Sequence, residues 1–499
     1  MFKQATTPVG ATLRRASALP NVLPLLGVLL TLAFVVYPDM ARDLWTDEAF
    51  TVSYTAHPTL SALLDDVRKN EETPPLYFVV SWLWARGFGQ SEEALRTLSL
   101  LCGALAVGLF ARFAQRHLPA RAAFAAVTIL ALSPLLQRYM VEARGYTLTM
   151  LLAVVCIAAY ERLWRAPDSP WAQAGYTLSA VVLFYSSYFS VVILGAQWLL
   201  WLGQLRAPAT RRQRLRAWGL MHLAVVVVVL PWLPSLAYQA RVASAVTASW
   251  SNGPQDYFYM ACAVLLGKPA SGAWFLLWQL GAAAGFALML ATALRPRAGI
   301  GGLALRTLAV PGALLLAMSL LLQVTALRYL IVLLPSAALI AAAGFEALRE
   351  RRPPLAWGLA VLLALGLLGS IRAPWTQPSP ANPWATLSAE VARQADPAGD
   401  VVIFHPPWDQ RIFEYYYGGP PLPLLGVHHY DDFYYTQGYS LKQTWRSEEA
   451  IPLLAPHQRV WVFYNQMFHG VPPLALPYRE LGRWREGKLE LILYEVRAP

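Results

Sequence analysis

Two adjacent carboxylates are the strongest candidates for chemistry in this sequence. Asp47 and Glu48 lie shortly after the first long apolar run, which ends near Tyr37. A carboxylate is costly next to hydrocarbon and is usually retained there for a function. Because a positioned carboxylate can accept a proton from an attacking hydroxyl group, the pair indicates a general base. The alternative is a solvated helix start in which Thr46 is the N-cap residue.

Arginines and tyrosines gather in segments that fall on the same side of the predicted membrane helices. An arginine guanidinium is a planar fork that matches phosphate oxygens and stabilises the charge of a leaving phosphate. The residues predicted to bind a donor phosphate or sugar are Arg96, Arg138, Glu142, Arg144, Tyr146, Arg328, Tyr329 and Tyr77.

Each of these residues also has a simpler interpretation. Glu142 can form a local ion pair with Arg138 or Arg144. Arg96 and Arg328 can be anchors whose stems lie along apolar surface while the charge reaches water. The tyrosines can belong to an interfacial aromatic belt.

The composition is that of a membrane protein. Hydrophobic residues make up 57% of the chain and charged residues only 14%, whereas soluble domains carry about 25% charged residues. The net charge of +11 would suggest nucleic acid in a soluble protein. Here basic residues are expected to fix cytoplasmic loops, and no nucleic-acid partner is predicted. The three cysteines stand in apolar stretches without metal or disulfide spacing and are predicted to pack in the core.

Apolar runs of membrane-spanning length predict about eleven spans. The first is interpreted as an uncleaved span with its N-terminus in the cytoplasm, since no small-residue cleavage site follows it. The predicted limits are 20–37, 95–114, 121–137, 146–163, 172–187, 189–205, 217–234, 273–294, 304–325, 329–347 and 354–371.

Arginines in alternate loops set the predicted orientation. The loops after the second, fourth, sixth, eighth and tenth spans are rich in arginine and are assigned to the cytoplasm. The outer face then receives residues 38–94, 138–145, 235–272 and everything after about 372. Residues 75–88 are too short for a span and are predicted to lie as a helix in the outer interface, as are residues 257–267.

Two domains follow from this pattern. Residues 1–372 form an all-α polytopic membrane domain whose first outer loop, 38–94, carries interfacial helices, including an amphipathic helix at 59–69. Residues 373–499 form a small extracytoplasmic α/β domain with a helix at 384–394 and strands at 401–404, 460–464 and 489–494. A histidine–aspartate cluster near His428 is interpreted as an exposed loop rather than a metal site, and no metal is assigned.

An ordered series of motifs over residues 20–345 resembles membrane glycosyltransferases of the GT-C fold, the bacterial branch related to protein O-mannosyltransferases and the lipid A aminoarabinose transferase. One position departs from the pattern, because Ser187 stands where many relatives have a histidine. The matching motifs are Thr46-Asp47-Glu48-Ala49, Thr73-Pro74-Pro75-Leu76-Tyr77, Glu93-Ala94-Leu95-Arg96, Ser133-Pro134, Glu142-Ala143-Arg144-Gly145-Tyr146, Pro231-Trp232-Leu233-Pro234 and Arg328-Tyr329-Leu330 with Pro335.

The resemblance implies an inverting transferase of a hexose or pentose. The donor would be an undecaprenyl- or dolichyl-type polyprenyl-phosphate sugar, and the acceptor an unknown lipid, glycan or protein at the outer face of a bacterial inner membrane. It implies that Asp47 is the general base and that Glu48 assists or positions it, and it suggests Arg96, Arg144 and Arg328 as candidate phosphate contacts. Some relatives bind a divalent metal, but nothing in this sequence assigns one.

Two alternatives from other classes stay open. A lipid-linked sugar flippase would carry charges at mid-membrane and show an internal repeat, and neither is evident. A non-catalytic scaffold with an outer binding domain would tolerate replacement of Asp47, Glu48 and Glu142.

Overall fold

The computed structural model describes residues 40, 42–202, 211–247, 254–267, 274–293, 305–322, 326–371, 383–428, 444–466 and 476–496. The predicted first span at 20–37 lies outside the described residues, as do His429 and the aspartates of the cluster near His428.

Three short helices form the segment predicted to be the first outer loop: α1 (Thr46–Thr55), α2 (Leu60–Asn70) and α3 (Leu76–Phe88). The predicted amphipathic helix is confirmed as α2, which buries Leu63 and Val67. The Thr59 hydroxyl caps α2 by accepting a hydrogen bond from the Ala62 N–H. The helix predicted at 75–88 is confirmed as α3, and Tyr77 and Phe78 lie on its buried face. Its location in a membrane interface stays a prediction.

The central part of the chain is a series of apolar helices. Most of these helices are apolar on all sides. They therefore present apolar side chains both to neighbouring helices and outward. In chain order they are α4 (Glu92–His117), α5 (Ala120–Ala131), α6 (Pro134–Met140), α7 (Tyr146–Arg165), α8 (Pro170–Ser186), α9 (Val191–Trp201), α10 (Arg211–Val229), α11 (Leu233–Thr247), α12 (Pro254–Leu266), α13 (Trp274–Ala293), α14 (Val310–Leu322), α15 (Leu334–Arg349) and α16 (Pro353–Ile371).

Four helical stretches in the described part of the chain are long and apolar enough to cross a membrane: Glu92–His117, Tyr146–Arg165, Arg211–Arg241 and Pro353–Ser370. A fifth is reached if α5 and α6 count as one bent span, whose halves meet at 53°. Pro134 explains the bend, because a proline disfavours helical geometry in the preceding residue, here Ser133. The predicted count of eleven is not confirmed.

The C-terminal part is an α/β unit, as predicted. Helix α17 (Pro383–Gln394) leads into a six-stranded sheet, beside which lie α18 (Gln410–Tyr416) and α19 (Ser447–Leu454). The strands are β1 (Asp400–His405), β2 (Leu424–His428), β3 (Thr444–Arg446), β4 (Arg459–Asn465), β5 (Arg479–Glu486) and β6 (Leu489–Glu495). Their order is β3-β2-β1-β4-β6-β5; β1 to β4 are parallel, and β6 is antiparallel to both of its neighbours.

One face of this sheet packs against the segment that carries α1. Phe404 on β1 and Phe463 on β4 belong to the same buried apolar cluster as Ala49 and Val52 of α1. The opposite face of the sheet has its own core. The sheet therefore supports the helix that carries Asp47 and Glu48, a contact that the sequence patterns did not predict.

Candidate active site

Glu48 forms a fully buried ion pair with Arg96. Both side chains are 0% exposed, and the guanidinium donates from Nε to Oε1 at 2.8 Å and from Nη2 to Oε2 at 2.7 Å. The backbone N–H of Ala143 also donates to Oε1, at 2.8 Å. Burial alone would raise the pKa of Glu48, but the hydrogen bonds and charge of Arg96 outweigh it and hold that pKa below its usual value.

The remaining donors of Arg96 bind the chain that leads into α1. They donate to the carbonyl oxygens of Met40 and Asp43, each at 2.8 Å, and to that of Arg42. The predicted contact between Arg96 and a donor phosphate does not fit this geometry, because the guanidinium is buried and its donors are occupied. Glu48 likewise faces Arg96 and lies away from solvent.

Arg144 and Glu71 form a second buried ion pair. Arg144 donates from Nη1 and Nη2 to the two Glu71 carboxylate oxygens at 2.7 and 3.0 Å, and Nη1 also donates to the backbone carbonyl of Asp47 at 3.2 Å. Arg144 is only 7% exposed. The predicted contact between Arg144 and a donor phosphate does not fit this geometry, because both terminal nitrogens of its guanidinium are bound to Glu71. Arg144 instead holds the backbone at Asp47. The sequence analysis assigned no role to Glu71, because nothing in the sequence distinguishes it from its neighbour Glu72.

Tyr77 supports the turn that carries Arg144. Its hydroxyl lies 3.0 Å from the Ser99 hydroxyl, which donates to the Arg144 carbonyl at 3.2 Å. A Cβ at Gly145 would lie 2.9 Å from the Tyr77 Cβ, so the two backbones approach closely. Tyr77 is 2% exposed, and its predicted contact with sugar or phosphate does not fit that burial.

Asp47 differs from these buried carboxylates. Its side chain is 29% exposed, and Oδ2 lies 3.4 Å from Nη1 of Arg328, which is 28% exposed. Asp47 stands in the first turn of α1, where the N-cap residue is Trp45 and not the expected Thr46. The structure therefore brings together a solvent-accessible carboxylate and a solvent-accessible guanidinium from residues far apart in the sequence.

Glu142 and Arg138 lie beside this pair as the sequence suggested. Arg138 Nε is 3.4 Å from Glu142 Oε2, with Arg138 22% and Glu142 1% exposed. Burial raises the pKa of Glu142 to about 7, although the Arg138 charge opposes the shift. Glu142 Oε1 has no hydrogen-bond partner in the described part of the chain.

Aromatic rings surround the accessible pair. Tyr329 stacks on Phe189 with ring centroids 3.5 Å apart, and the Arg328 guanidinium carbon lies 5.6 Å from the Tyr329 ring centroid. Tyr146 packs against Tyr139 at 4.5 Å between centroids. Both predicted tyrosines, Tyr146 and Tyr329, are partly buried, so each retains some accessible surface.

The C-terminal unit reaches the same helix through polar contacts. Asp409 accepts a hydrogen bond from the Thr46 hydroxyl at 3.3 Å, and the Asn465 amide donates to its other oxygen at 2.9 Å. Burial raises the pKa of Asp409 to about 7. Arg411 pairs with Asp66 of α2 at 3.0 Å. These residues were missed because nothing in the sequence links positions more than 300 residues apart.

No group of three or more His, Cys, Asp or Glu residues suited to a metal ion occurs among the described residues. Around Asp47 the nearby Glu48 and Glu71 are each bound bidentately to an arginine. Ser187 is the C-cap residue of α8. Because the Glu48 and Glu71 carboxylates are both paired with arginines, they are not arranged to ligate a metal ion.

Residues 72–235 match the family model described as "Dolichyl-phosphate-mannose-protein mannosyltransferase". The apo structure of ArnT from Cupriavidus metallidurans is similar to the chain with a TM-score of 0.62 and 14% identity, over 96% of this chain and 98% of that one. For ArnT bound to undecaprenyl phosphate the values are 0.59 and 15%, over 95% and 97%. No curated protein sequence matches the chain.

A third solved structure extends the likeness. The oligosaccharyltransferase of Archaeoglobus fulgidus in complex with Zn and sulfate has a TM-score of 0.51 and 11% identity, over 88% of this chain and 67% of that one. The chain has the fold of the GT-C membrane glycosyltransferases, and the predicted resemblance is confirmed at that level.

Proposed function

We propose that the protein transfers a sugar from a polyprenyl phosphate to an acceptor hydroxyl group at the outer face of a bacterial inner membrane. Asp47 removes the hydroxyl proton as the acceptor oxygen attacks the anomeric carbon. The bond from that carbon to the phosphate oxygen breaks, and its electron pair leaves with the polyprenyl phosphate. Attack opposite the leaving group inverts the anomeric centre.

The accessibility of the Asp47–Arg328 pair carries this proposal. A general base must reach the proton that it removes, and Asp47 is 29% exposed while Glu48 is 0% exposed. A guanidinium beside that base can stabilise the charge of a leaving phosphate, and Arg328 is 28% exposed. The buried pairs Glu48–Arg96 and Glu71–Arg144 hold the backbone on both sides of Asp47.

The proposed binding roles follow the same criterion. Arg328 and Arg138, which are partly exposed, are assigned to the phosphate of the donor, and Tyr146 and Tyr329 to its sugar or lipid-proximal part. Glu142 sets the charge near Arg138. Arg96, Arg144 and Tyr77 are positioning residues, because their polar atoms bind protein groups.

The donor class is supported by similarity. The matched family model is described by a dolichyl-phosphate sugar, and one similar structure is bound to undecaprenyl phosphate. Both ligands join a long polyprenyl chain to a phosphate, a chemistry that suits an arginine site next to apolar helices. The identity of the sugar and of the acceptor is left open by the proposal.

Asp47→Asn tests the role of the base. The variant keeps nearly the same shape but cannot accept the proton, so we expect transfer to fall by about 10²–10⁴-fold. The measurement is sugar transfer by purified full-length protein in liposomes, using a radiolabelled undecaprenyl-phosphate sugar and membrane extract as acceptor source. Donor binding is measured in parallel and should survive.

Asp65→Asn is the matched control. Asp65 is an exposed carboxylate on α2 that pairs only with Arg68 in the described structure, so its loss should leave transfer unchanged. Wild-type turnover by Asp47→Asn would remove Asp47 as the base. Full complementation in cells by replacements at Asp47, Glu48 and Glu142 alike, together with no sugar transfer by the wild-type protein, would favour the scaffold alternative.

A further inference from the structure

A cavity lies at the opposite ends of the helices that begin at the candidate active site. It has a volume of about 550 Å³ and lies among the ends of α4 and α7 and the start of α8. Arg96 and Arg116 stand near the two ends of α4, about 30 Å apart at 1.5 Å per residue. The cavity is therefore separate from the Asp47 site.

Three arginines line this cavity: Arg116, Arg162 and Arg165. No ion pair joins any of them to a carboxylate in the described part of the chain. Glu161 also lines the cavity, but it is only 6% exposed. The rest of the wall is mostly apolar and includes Phe113. The cavity thus combines an excess of positive charge with a mostly apolar wall.

Each of the three helices presents an apolar side chain about one turn deeper than the cavity. Leu109 of α4 is 36% exposed, Val155 of α7 is 37% exposed and Leu178 of α8 is 66% exposed. Residues three or four positions apart share a helix face, so these side chains continue the cavity wall along the helices. Trp171 stands at the rim and is 80% exposed, as suits a residue at a membrane–water boundary.

We propose that this cavity binds the phosphate-bearing headgroup of an anionic phospholipid. The arginines bind the phosphate oxygens, and the acyl chains lie along the exposed apolar side chains of α4 and α8. Basic pockets between membrane helices on the cytoplasmic side suit such headgroups. An inorganic phosphate ion would use the arginines but not the apolar continuation, which favours the lipid as the source of the phosphate.

The test uses purified full-length protein and compares Arg162→Gln/Arg165→Gln with wild type. Retained lipid is counted by native mass spectrometry after addition of phosphatidylglycerol, cardiolipin or phosphatidylcholine. We expect wild type to retain the two anionic lipids, and the double variant to bind them about tenfold more weakly or worse. The melting temperature with and without each lipid gives a second readout independent of transferase activity.

Arg351→Gln/Arg352→Gln is the matched control. These exposed arginines follow α15 on the same predicted face, lie outside the cavity and should leave lipid retention unchanged. Equal losses in the two double variants, or equal retention of phosphatidylcholine, would overturn the proposal. An arginine-dependent melting shift with inorganic phosphate alone would also overturn it, because the site would then bind a soluble anion.

Discussion

At the scale of single residues, burial separates side chains that hold the site from those that can react. Arg96 donates two hydrogen bonds to Glu48 out of contact with water, whereas the side chains of Arg328 and Asp47 are 28% and 29% exposed. A buried ion pair contributes little net stability, but removal of one partner leaves an uncompensated charge. The buried pairs should therefore respond to mutation as structural elements.

Arg96→Gln should destabilise the protein strongly, by about 3–5 kcal/mol, because it leaves the Glu48 carboxylate buried without its partner and frees the carbonyls of residues 40 and 43. The measurement is the midpoint of unfolding of the detergent-purified full-length protein. Arg68→Gln is the control, since the Arg68–Asp65 pair is exposed at 45% and 57% and should contribute less than about 1 kcal/mol.

The opposite result would restore the role predicted from the sequence. If Arg96→Gln kept the stability of wild type and lost only affinity for polyprenyl phosphate, Arg96 would be a phosphate contact. The sequence could identify the residue types and their order but not this pairing. Which carboxylate meets which arginine depends on the arrangement of four separate segments, and local spacing carries no information about it.

At the scale of elements, α1 lies between the membrane helices and the C-terminal sheet. Leu44, just before α1, donates its backbone N–H to the Tyr416 hydroxyl of α18 at 2.9 Å. Arg411 of the same helix stacks over the Phe50 ring, 4.7 Å from its centroid, and pairs with Asp66. Movement of the C-terminal unit would therefore displace the helix on which Asp47 stands.

Arg411→Gln should loosen α1 and α2. It removes a charged hydrogen-bonding group worth about 2 kcal/mol at a largely buried contact, so amide exchange in these helices should accelerate on the order of 30-fold. Hydrogen–deuterium exchange with mass spectrometry of the peptides that contain Asp47 and Asp66 measures this effect. We expect slower sugar transfer with little change in donor binding.

Arg393→Gln on α17 provides the comparison. That side chain is 70% exposed and pairs only with a neighbour on its own helix in the described structure, so exchange in α1 should be unchanged. Unchanged exchange in both variants would mean that apolar packing alone fixes the contact.

The individual elements were more predictable than their contacts. Helix α2 follows from the helical spacing of its buried residues, whereas strands β1, β4 and β6 follow from short apolar runs that are buried at almost every position. The packing of Phe404 and Phe463 near Ala49 joins parts of the chain more than 350 residues apart. Such a contact is decided by shape after the elements have formed, so no sequence window contains it.

At the scale of the whole molecule, the two sites lie at opposite ends of α4 and α7. Arg96 and Tyr146 are near the starts of these helices, and Arg116 and Arg165 are near their ends. The orientation predicted from loop charge, which rests on these arginines, places the basic ends in the cytoplasm and stays a prediction. An outer-face reaction and a cytoplasmic-face lipid site both depend on that orientation.

The burial of the native cysteines allows the orientation to be tested with single reporter cysteines. Cys102, Cys156 and Cys262 are all buried and lie in apolar segments. Three exposed small residues are suitable positions for reporter cysteines: Ser61 on α2, Ala120 at the start of α5 and Ala398 before β1. Each replacement alters little volume and leaves the residues assigned to chemistry untouched.

Ser61→Cys and Ala398→Cys should react with a membrane-impermeant maleimide in intact spheroplasts, whereas Ala120→Cys should react only after lysis. The reason is that the arginine-rich ends of the helices are retained in the cytoplasm, which leaves α2 and the C-terminal unit outside. Labelling of the unmodified protein gives the background, and labelling of all three variants after lysis shows that each cysteine is accessible. Labelling of Ala120→Cys alone in intact spheroplasts would reverse the orientation, and with it the face on which Asp47 meets its acceptor.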